Sequence, residues 1–204
     1  MTCSANHDKV SKMTLVVPSI GRFPSYLGAV DRGWDGEKTL FRSSKDLVIL
    51  AERDPNLVLA KMADRSKEGV RYNEDGSTSA RAPALHRWMW DREFVGRITL
   101  RLPTVGYEEL LHQIGHIGYE TMEWKRGQGY ATKALFLMLN VASKEGMTNV
   151  ELVTKTNNIA SQRVVTNNGG ILIEEFNESK RLGGGKVFRW RIDLSESPSI
   201  STSD

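Results

Sequence analysis

Cysteine is almost missing from this chain: one residue, Cys3, in 204. A lone thiol excludes an internal disulfide framework and any zinc site built on several cysteines, and it points to a reducing, cytoplasmic setting. Long apolar runs are missing as well. No stretch approaches the roughly 18–20 consecutive apolar residues of a membrane-spanning helix, and Met1 to Lys12 holds no apolar segment of the kind a secretory signal needs. Neither sign of charge dominates, because 28 Lys and Arg face 25 Asp and Glu. The +3 excess is spread along the chain, so neither nucleic acid nor a membrane is an expected partner, whereas a polyanionic small ligand is compatible. With 39% hydrophobic residues the chain has enough apolar surface for a core, which excludes wholesale disorder.

Residues 1–12 are polar and read as a flexible start, and 195–204 (SESPSISTSD) as a flexible Ser-rich tail, leaving 13–194 as one domain. Lys12 to Pro18 reads as a first strand. A helix follows from about Pro24, with Tyr26, Leu27, Val30 and Trp34 as its stripe, and helical structure covers Ser44 to about Asp64, with Asp54-Pro55 as a cap followed by proline. Arg65 to Pro83 is polar and reads as a loop. Leu85 to Trp90 and Phe94 to Leu102 flank Asp91-Arg92-Glu93 as a hairpin, and alternation along the second strand predicts a wet face of Arg97, Thr99 and Arg101. His116 to Glu123 is a further strand. From Gly127 the apolar period becomes helical, with Ala131, Ala134, Leu135, Met138, Val141 and Ala142 on one face and a stop near Gly146. Val150 to Thr154, Ile171 to Phe176 and Val187 to Leu194 are strands, with a short helix at Asn158 to Asn167. The predicted fold class is α/β, with a mixed, mostly antiparallel sheet flanked by helices.

The segment Thr121 to Thr132 (TMEWKRGQGYAT) carries the most chemistry. It lies where a strand ends and the long helix begins. Gly127 and Gly129 let backbone N–H groups turn inward, and those groups with the positive end of the helix dipole form an anion site, with Arg126 at its rim. The plain alternative is a Gly-rich turn with no ligand. A Rossmann fingerprint is absent because no third glycine falls in register. Gly183-Gly184-Gly185-Lys186 runs into Val187, which excludes a P-loop there.

Arg126-Gly-Gln-Gly-Tyr-Ala131 resembles the R/Q-x-x-G-x-G/A signature of the GCN5-related N-acetyltransferases (GNAT). Asn157-Asn158-Ile-Ala-Ser161-Gln-Arg163, followed by Asn168-Gly169-Gly170, resembles the family's later helix and closing turn. With Glu93-Phe-Val-Gly-Arg-Ile98 and His116-Ile-Gly-Tyr119 the resemblance covers about Leu85 to Leu194, and it is similar to a group of bacterial acetyltransferases of undefined substrate. The resemblance implies an acceptor-side half over 13–84 and an acetyl-CoA-binding half over 85–194, with acetyl-CoA as co-substrate held at a splayed strand pair. Arg126, Gly127, Gln128, Gly129, Tyr130, Ala131 and Thr132 would hold the pyrophosphate. Tyr119, Glu120, Thr121 and Met122 would bind pantetheine through their backbone, and Asn158 and Ser161 would face it from the next helix. Asn158 is also a good helix cap in its own right.

Many family members carry a Tyr four residues after the Ser, where this chain has Val165, and Glu123 stands where proline is frequent. Tyr119, Ser161 or a water is then left to protonate the leaving thiolate. Glu120 is the first candidate for the base that takes the amine's proton, with His116 next and His86 behind it; strand alternation could instead turn Glu120 away from the cofactor. The backbone N–H near Met122 is the expected oxyanion donor. No metal is expected, since a His112/His116 pair would require a helix and lacks acidic partners. Trp88 and Trp90 read as core or sheet cover rather than a substrate wall. Cys3 gives no support to a covalent acetyl-cysteine route. The expected activity is direct acetyl transfer to a small primary amine. A protein α-amine or Lys acceptor, or an acyl-CoA-binding module without turnover, stand as alternatives, and exposed strands could pair two copies as a homodimer.

Overall fold

The structure, a computed structural model, describes Val10 and residues 12–35, 37–67 and 69–194. The Ser-rich tail, Cys3 and most of the polar start lie outside the described residues. Strand β1 (Thr14–Val16) precedes three helices, α1 (Phe23–Asp31), α2 (Ser44–Arg53) and α3 (Pro55–Lys61). The helical span from Ser44 divides at Asp54, whose Oδ1 accepts the Asn56 N–H at 2.9 Å while Pro55 opens α3 without needing a donor. The polar span 65–83 is more than the expected loop. It contains a hairpin of β2 (Arg71–Tyr72) and β3 (Thr78–Ser79) around Asp75-Gly76. Strands β4 (Ala84–Asp91) and β5 (Glu93–Arg101) turn at Arg92, followed by α4 (Glu108–Ile114), which has no counterpart in the sequence reading. Then come β6 (Ile117–Thr121), α5 (Tyr130–Lys144), β7 (Asn149–Lys155), α6 (Ile159–Thr166), β8 (Ile171–Asn177) and β9 (Lys186–Asp193).

The antiparallel strands form two main sheets, β1-β4-β5-β6 and β7-β9-β8. Helix α5 packs against β1, β5, β6 and β7, and buries Tyr130, Ala134, Leu135, Met138 and Ala142, close to the predicted stripe. The N-terminal helices contribute an aromatic cluster. Tyr26 stacks on Trp88 at 4.8 Å, and Trp34 meets Phe94 edge-on at 4.9 Å, so Trp88 is a core residue. The wet face predicted for β5 is covered instead. Thr99 is buried and Arg97 and Arg101 are largely enclosed, because residues 39–40, Arg71 and α4 close over that side. Alternation alone could not show this, since a polar face folded under other polar residues has the same pattern as a solvated one.

The two sheets touch at one end of β6 and β7. Gly115 bridges Leu152, the His116 N–H donates to the Glu151 carbonyl at 2.7 Å, and the Glu151 N–H donates to His116 Nδ1 at 2.9 Å. Beyond this clasp no ladder joins β6 to β7 among the described residues, so the strands diverge and expose a backbone edge. The clasp depends on glycine. Gly115 has φ 70°, and a Cβ there would lie 2.7 Å from the Glu151 carbonyl oxygen and 2.9 Å from the Leu152 Cα. Gly115→Ala therefore combines left-handed strain with a backbone collision, and is expected to cost about 2–4 kcal/mol. Gly33→Ala shares the positive φ (94°) but meets nothing within 4 Å, and should cost about 1 kcal/mol. Urea denaturation of both variants checks the difference; equal losses would remove the role assigned to the clasp.

Candidate active site

The divergence of β6 and β7 opens a cavity of about 640 Å³. Three elements line it. Strand β6 supplies Tyr119, Glu120 and Thr121; the turn and first residues of α5 supply Arg126, Gly127 and Gly129 to Thr132; and α6 with its cap supplies Asn158, Ser161 and Arg163. Gly127 and Gly129 have φ of 72° and 89°, left-handed values that let the chain swing from β6 into α5. The first intrahelical bond runs from Lys133 N–H to the Gly129 carbonyl, and no side chain caps the helix start. The N–H groups of Tyr130, Ala131 and Thr132 therefore lack helical acceptors at the cavity wall, beside Arg126, which suits an anion.

Further along, Thr121 Oγ1 is buried at the cavity wall without a hydrogen-bond partner among the described residues. The Tyr119 hydroxyl spans the gap to Ser161, lying 2.8 Å from its Oγ and 3.2 Å from its carbonyl oxygen. Burial raises the Tyr119 pKa to about 12, with the Ser161 hydrogen bond opposing, so the phenol keeps its proton at neutral pH. Asn158 caps α6 by accepting the Ser161 N–H at 3.1 Å, which leaves the Ser161 side chain on the cavity side.

Several candidates from the sequence fall elsewhere. The Met122 N–H donates to the Val95 carbonyl at 3.1 Å, so it is not the free donor expected of it. Antiparallel alternation then turns the N–H groups of Thr121 and Tyr119 towards the open edge. The Gln128 amide bends back to the Trp124 carbonyl (3.4 Å) and takes no part in the main cavity wall. His116 is absorbed in the clasp, where burial lowers its pKa. His112 lies on α4 beside Glu174 (3.6 Å). Among the described residues no group of three His, Cys, Asp or Glu side chains could hold a metal. Val165, where many relatives have Tyr, is fully buried.

Glu120 points to the opposite face of β6 from Tyr119 and Thr121. It pairs in register with Arg97, and its carboxylate lies 3.7 Å from that guanidinium. Arg97 also reaches Glu37 at 3.5 Å. Glu37 comes from the segment between α1 and α2, where no motif is legible. It is 4% exposed, and burial raises its pKa to about 7, with Arg97 opposing and Glu120 reinforcing the rise. Only long-range packing brings these three charges together, so periodicity holds no signal for Glu37.

The acetyltransferase (GNAT) domain family matches residues 53–171, more than half of the chain, and the chain belongs to that family. Solved structures agree in fold. The microcin C7 self-immunity acetyltransferase MccE, in complex with acetyl-CoA and AMP, aligns with TM-score 0.58 at 12% identity, covering 91% of this chain and 95% of that one. The ribosomal L7/L12 α-N-protein acetyltransferase RimL, in complex with coenzyme A, aligns with 0.58 at 13%, covering 91% and 96%. Spermidine N-acetyltransferase from Vibrio cholerae, in complex with CoA and spermine, aligns with 0.53 at 15%, covering 91% and 98%. No curated protein matches the sequence. The family makes the chain an acyltransferase.

The buried acid has a measurable consequence. The folded state holds the Glu37 proton more tightly than the unfolded chain, whose value is near 4.5. The contribution of this group to stability therefore falls as pH rises from about 4.5 to 7, by up to about 3 kcal/mol. Glu37→Gln removes that titration. Relative to the parent, the variant should gain stability between pH 5 and pH 8, read from chemical denaturation at both; a constant difference would place the Glu37 titration elsewhere.

Proposed function

We propose that this chain is an acetyl-CoA-dependent N-acetyltransferase that transfers acetyl to a small primary amine by direct attack in a ternary complex. The observation that carries this reading is the continuous path from the open backbone edge of β6 to the uncapped start of α5. Acetyl-CoA supplies an activated thioester on an arm with amide groups and a pyrophosphate. The free N–H groups of Tyr130 to Thr132, with Arg126, suit the pyrophosphate, and the edge of β6 suits the amides. Thr121 Oγ1 is a buried hydroxyl that a bound arm could satisfy.

The acceptor approaches from the Glu120 side of β6. There Glu120 takes the ammonium proton, while Arg97 fixes its carboxylate. The Thr121 or Tyr119 N–H, rather than that of Met122, polarises the carbonyl under attack. Tyr119, protonated and hydrogen-bonded to Ser161, is the donor for the leaving thiolate in place of the Tyr that Val165 replaces. A small acceptor is supported by the size of the cavity lined by Arg97, the ion-pair partner of Glu120: about 40 Å³, against about 640 Å³ on the cofactor side. The homodimer reading has one supporting feature: Ile171, Leu172 and Ile173 on edge strand β8 are exposed. No described helix is long and apolar enough to cross a membrane.

Two variants test the two halves of the site. Ala131→Asp puts a carboxylate in the first turn of α5, where it favours the helix dipole but repels a pyrophosphate. Its melting temperature should hold or rise, while CoA affinity by calorimetry falls at least about tenfold, or about 1.4 kcal/mol. Unchanged affinity would remove the pyrophosphate assignment. Glu120→Gln keeps size and loses basicity, so turnover in a CoA-release assay over a panel of amines should fall by about 10²–10⁴ with acetyl-CoA affinity nearly constant. Wild-type turnover in Glu120→Gln would remove the base assignment. Acetyl-CoA binding with no CoA release from any amine would instead favour a binding module.

A further inference from the structure

The face of β4, β5 and β6 away from Tyr119 and Thr121 holds a small cavity of a different character. Its wall includes Arg71, Arg81, Arg97 and Arg101, with His86 and Thr99 between them, and no Asp or Glu among the described residues. The four guanidiniums are not equivalent. Arg97 is engaged by Glu37 and Glu120, and Arg81 donates to the Lys61 carbonyl at 2.7 Å. Arg71 hydrogen-bonds the Asn73 side chain. Arg101 donates to the Gly115 carbonyl at 3.1 Å, and the charges that act on it most strongly are the cations Arg71 and Arg97. Burial, then these two neighbours, lower its pKa to about 9. His86 adds no charge. Burial and the surrounding arginines push its pKa to about 3, and its Nδ1 lies 3.1 Å from the Thr99 hydroxyl.

A cation withdrawn from water without a counter-charge is unfavourable unless something supplies one. Glu37 and Glu120 lie at Arg97, and Glu74 and Glu178 act on Arg71, so Arg101 is the guanidinium of this group on which neighbouring cations rather than carboxylates act. A cavity of about 40 Å³ has room for a carboxylate or phosphate head rather than a whole ligand. We propose that the acceptor amine carries such an anionic group, which Arg101 and Arg71 bind; this rests on the acetyl-transfer reading above and names its substrate class.

The spacing fits a short molecule. Arg101 folds over β6, so that its Nη2 would lie 3.1 Å from a Cβ at Gly118. Glu120 stands two residues further on the same face, about 7 Å along the strand. An amine presented to Glu120 therefore has its anionic end a few bonds away at Arg101, and Gly118 leaves the guanidinium room to lie there. The same arginines disfavour a polyamine, whose second cation would enter a cavity already crowded with positive charge.

The test compares matched acceptors on the full chain. CoA release is measured with ω-amino acids from 3-aminopropanoate to 6-aminohexanoate and with 3-aminopropyl phosphate. The controls are the corresponding amino amides, 3-aminopropanol and spermidine. The anionic members should exceed their neutral counterparts at least tenfold in kcat/KM, mainly through KM, and Arg101→Met should bring that ratio close to one. Carboxylates favoured over the phosphate, or the reverse, identify the anion. Neutral amines or spermidine used as well as the anionic series, or an unchanged ratio in Arg101→Met, would overturn the proposal.

A binding measurement keeps the anion site separable from acetyl transfer. With CoA saturating the cofactor cavity, calorimetry with inorganic phosphate and with glutarate should show a site that Arg101→Met loses. Absence of both from the parent protein would overturn the site even if acetyl transfer stands. Binding of either without CoA release from any amine would leave the site standing and the acetyl-transfer reading failed. If Arg101→Met does not fold, Arg71→Met carries the same comparison from the hairpin, with the same ratio as its readout.

Discussion

The clasp at Gly115 and His116 against Glu151 and Leu152 is the contact on which the site depends. Two strands held together at one end and left unpaired beyond it must present a free backbone edge. In most sheets such an edge is a liability, because unsatisfied N–H and C=O groups invite any other strand. Here the edge leads into a turn whose left-handed glycines aim the start of α5 into the same cavity. One geometric fact thus brings the open backbone edge and the uncapped start of α5 to the same cavity. The absence of a side chain at Gly115 permits it, since the two backbones approach where a methyl group would collide.

Charge is arranged around the same strand. The backbone edge and Tyr119 lie towards α5 and α6, while Glu120, Arg97 and Glu37 form a chain of alternating sign on the other side. Burying that chain is costly, and the raised pKa of Glu37 is the visible sign of the cost. What the arrangement provides is position: a carboxylate on the strand that lines the larger cavity, paired with a guanidinium that lines the smaller one. Arg101 on β5 and Arg71 on β2 continue the line of charge on that face of the sheet.

Much of this was legible along the chain. The helical stripe of α5 showed itself because one face meets a core with a period the sequence must repeat. The β4–β5 hairpin, the Asp54-Pro55 break, the glycine turn and the Asn158 cap are local chemistry, written within a few residues of where they act. Tyr119, Glu120, Thr121, Arg126 and Ser161 could be named for the same reason, as they flank those turns and strands. The short helix α4 and the β2–β3 hairpin were not legible, because neither is long enough to show a period.

The sequence by itself determined most of the helices and strands, where the chain can turn, and that a glycine turn precedes the long helix. Tertiary structure alone decided which faces meet water. The arginines of β5 alternate as a solvated face would, yet residues 39–40, Arg71 and α4 cover them. Glu37 has no local feature to mark it, and becomes a buried acid only when its segment folds onto β5. The Met122 N–H looked available until the ladder register gave it to Val95. Local patterns record a residue's preferences within a turn or two, whereas burial, pairing and pKa depend on what distant segments bring to the same place.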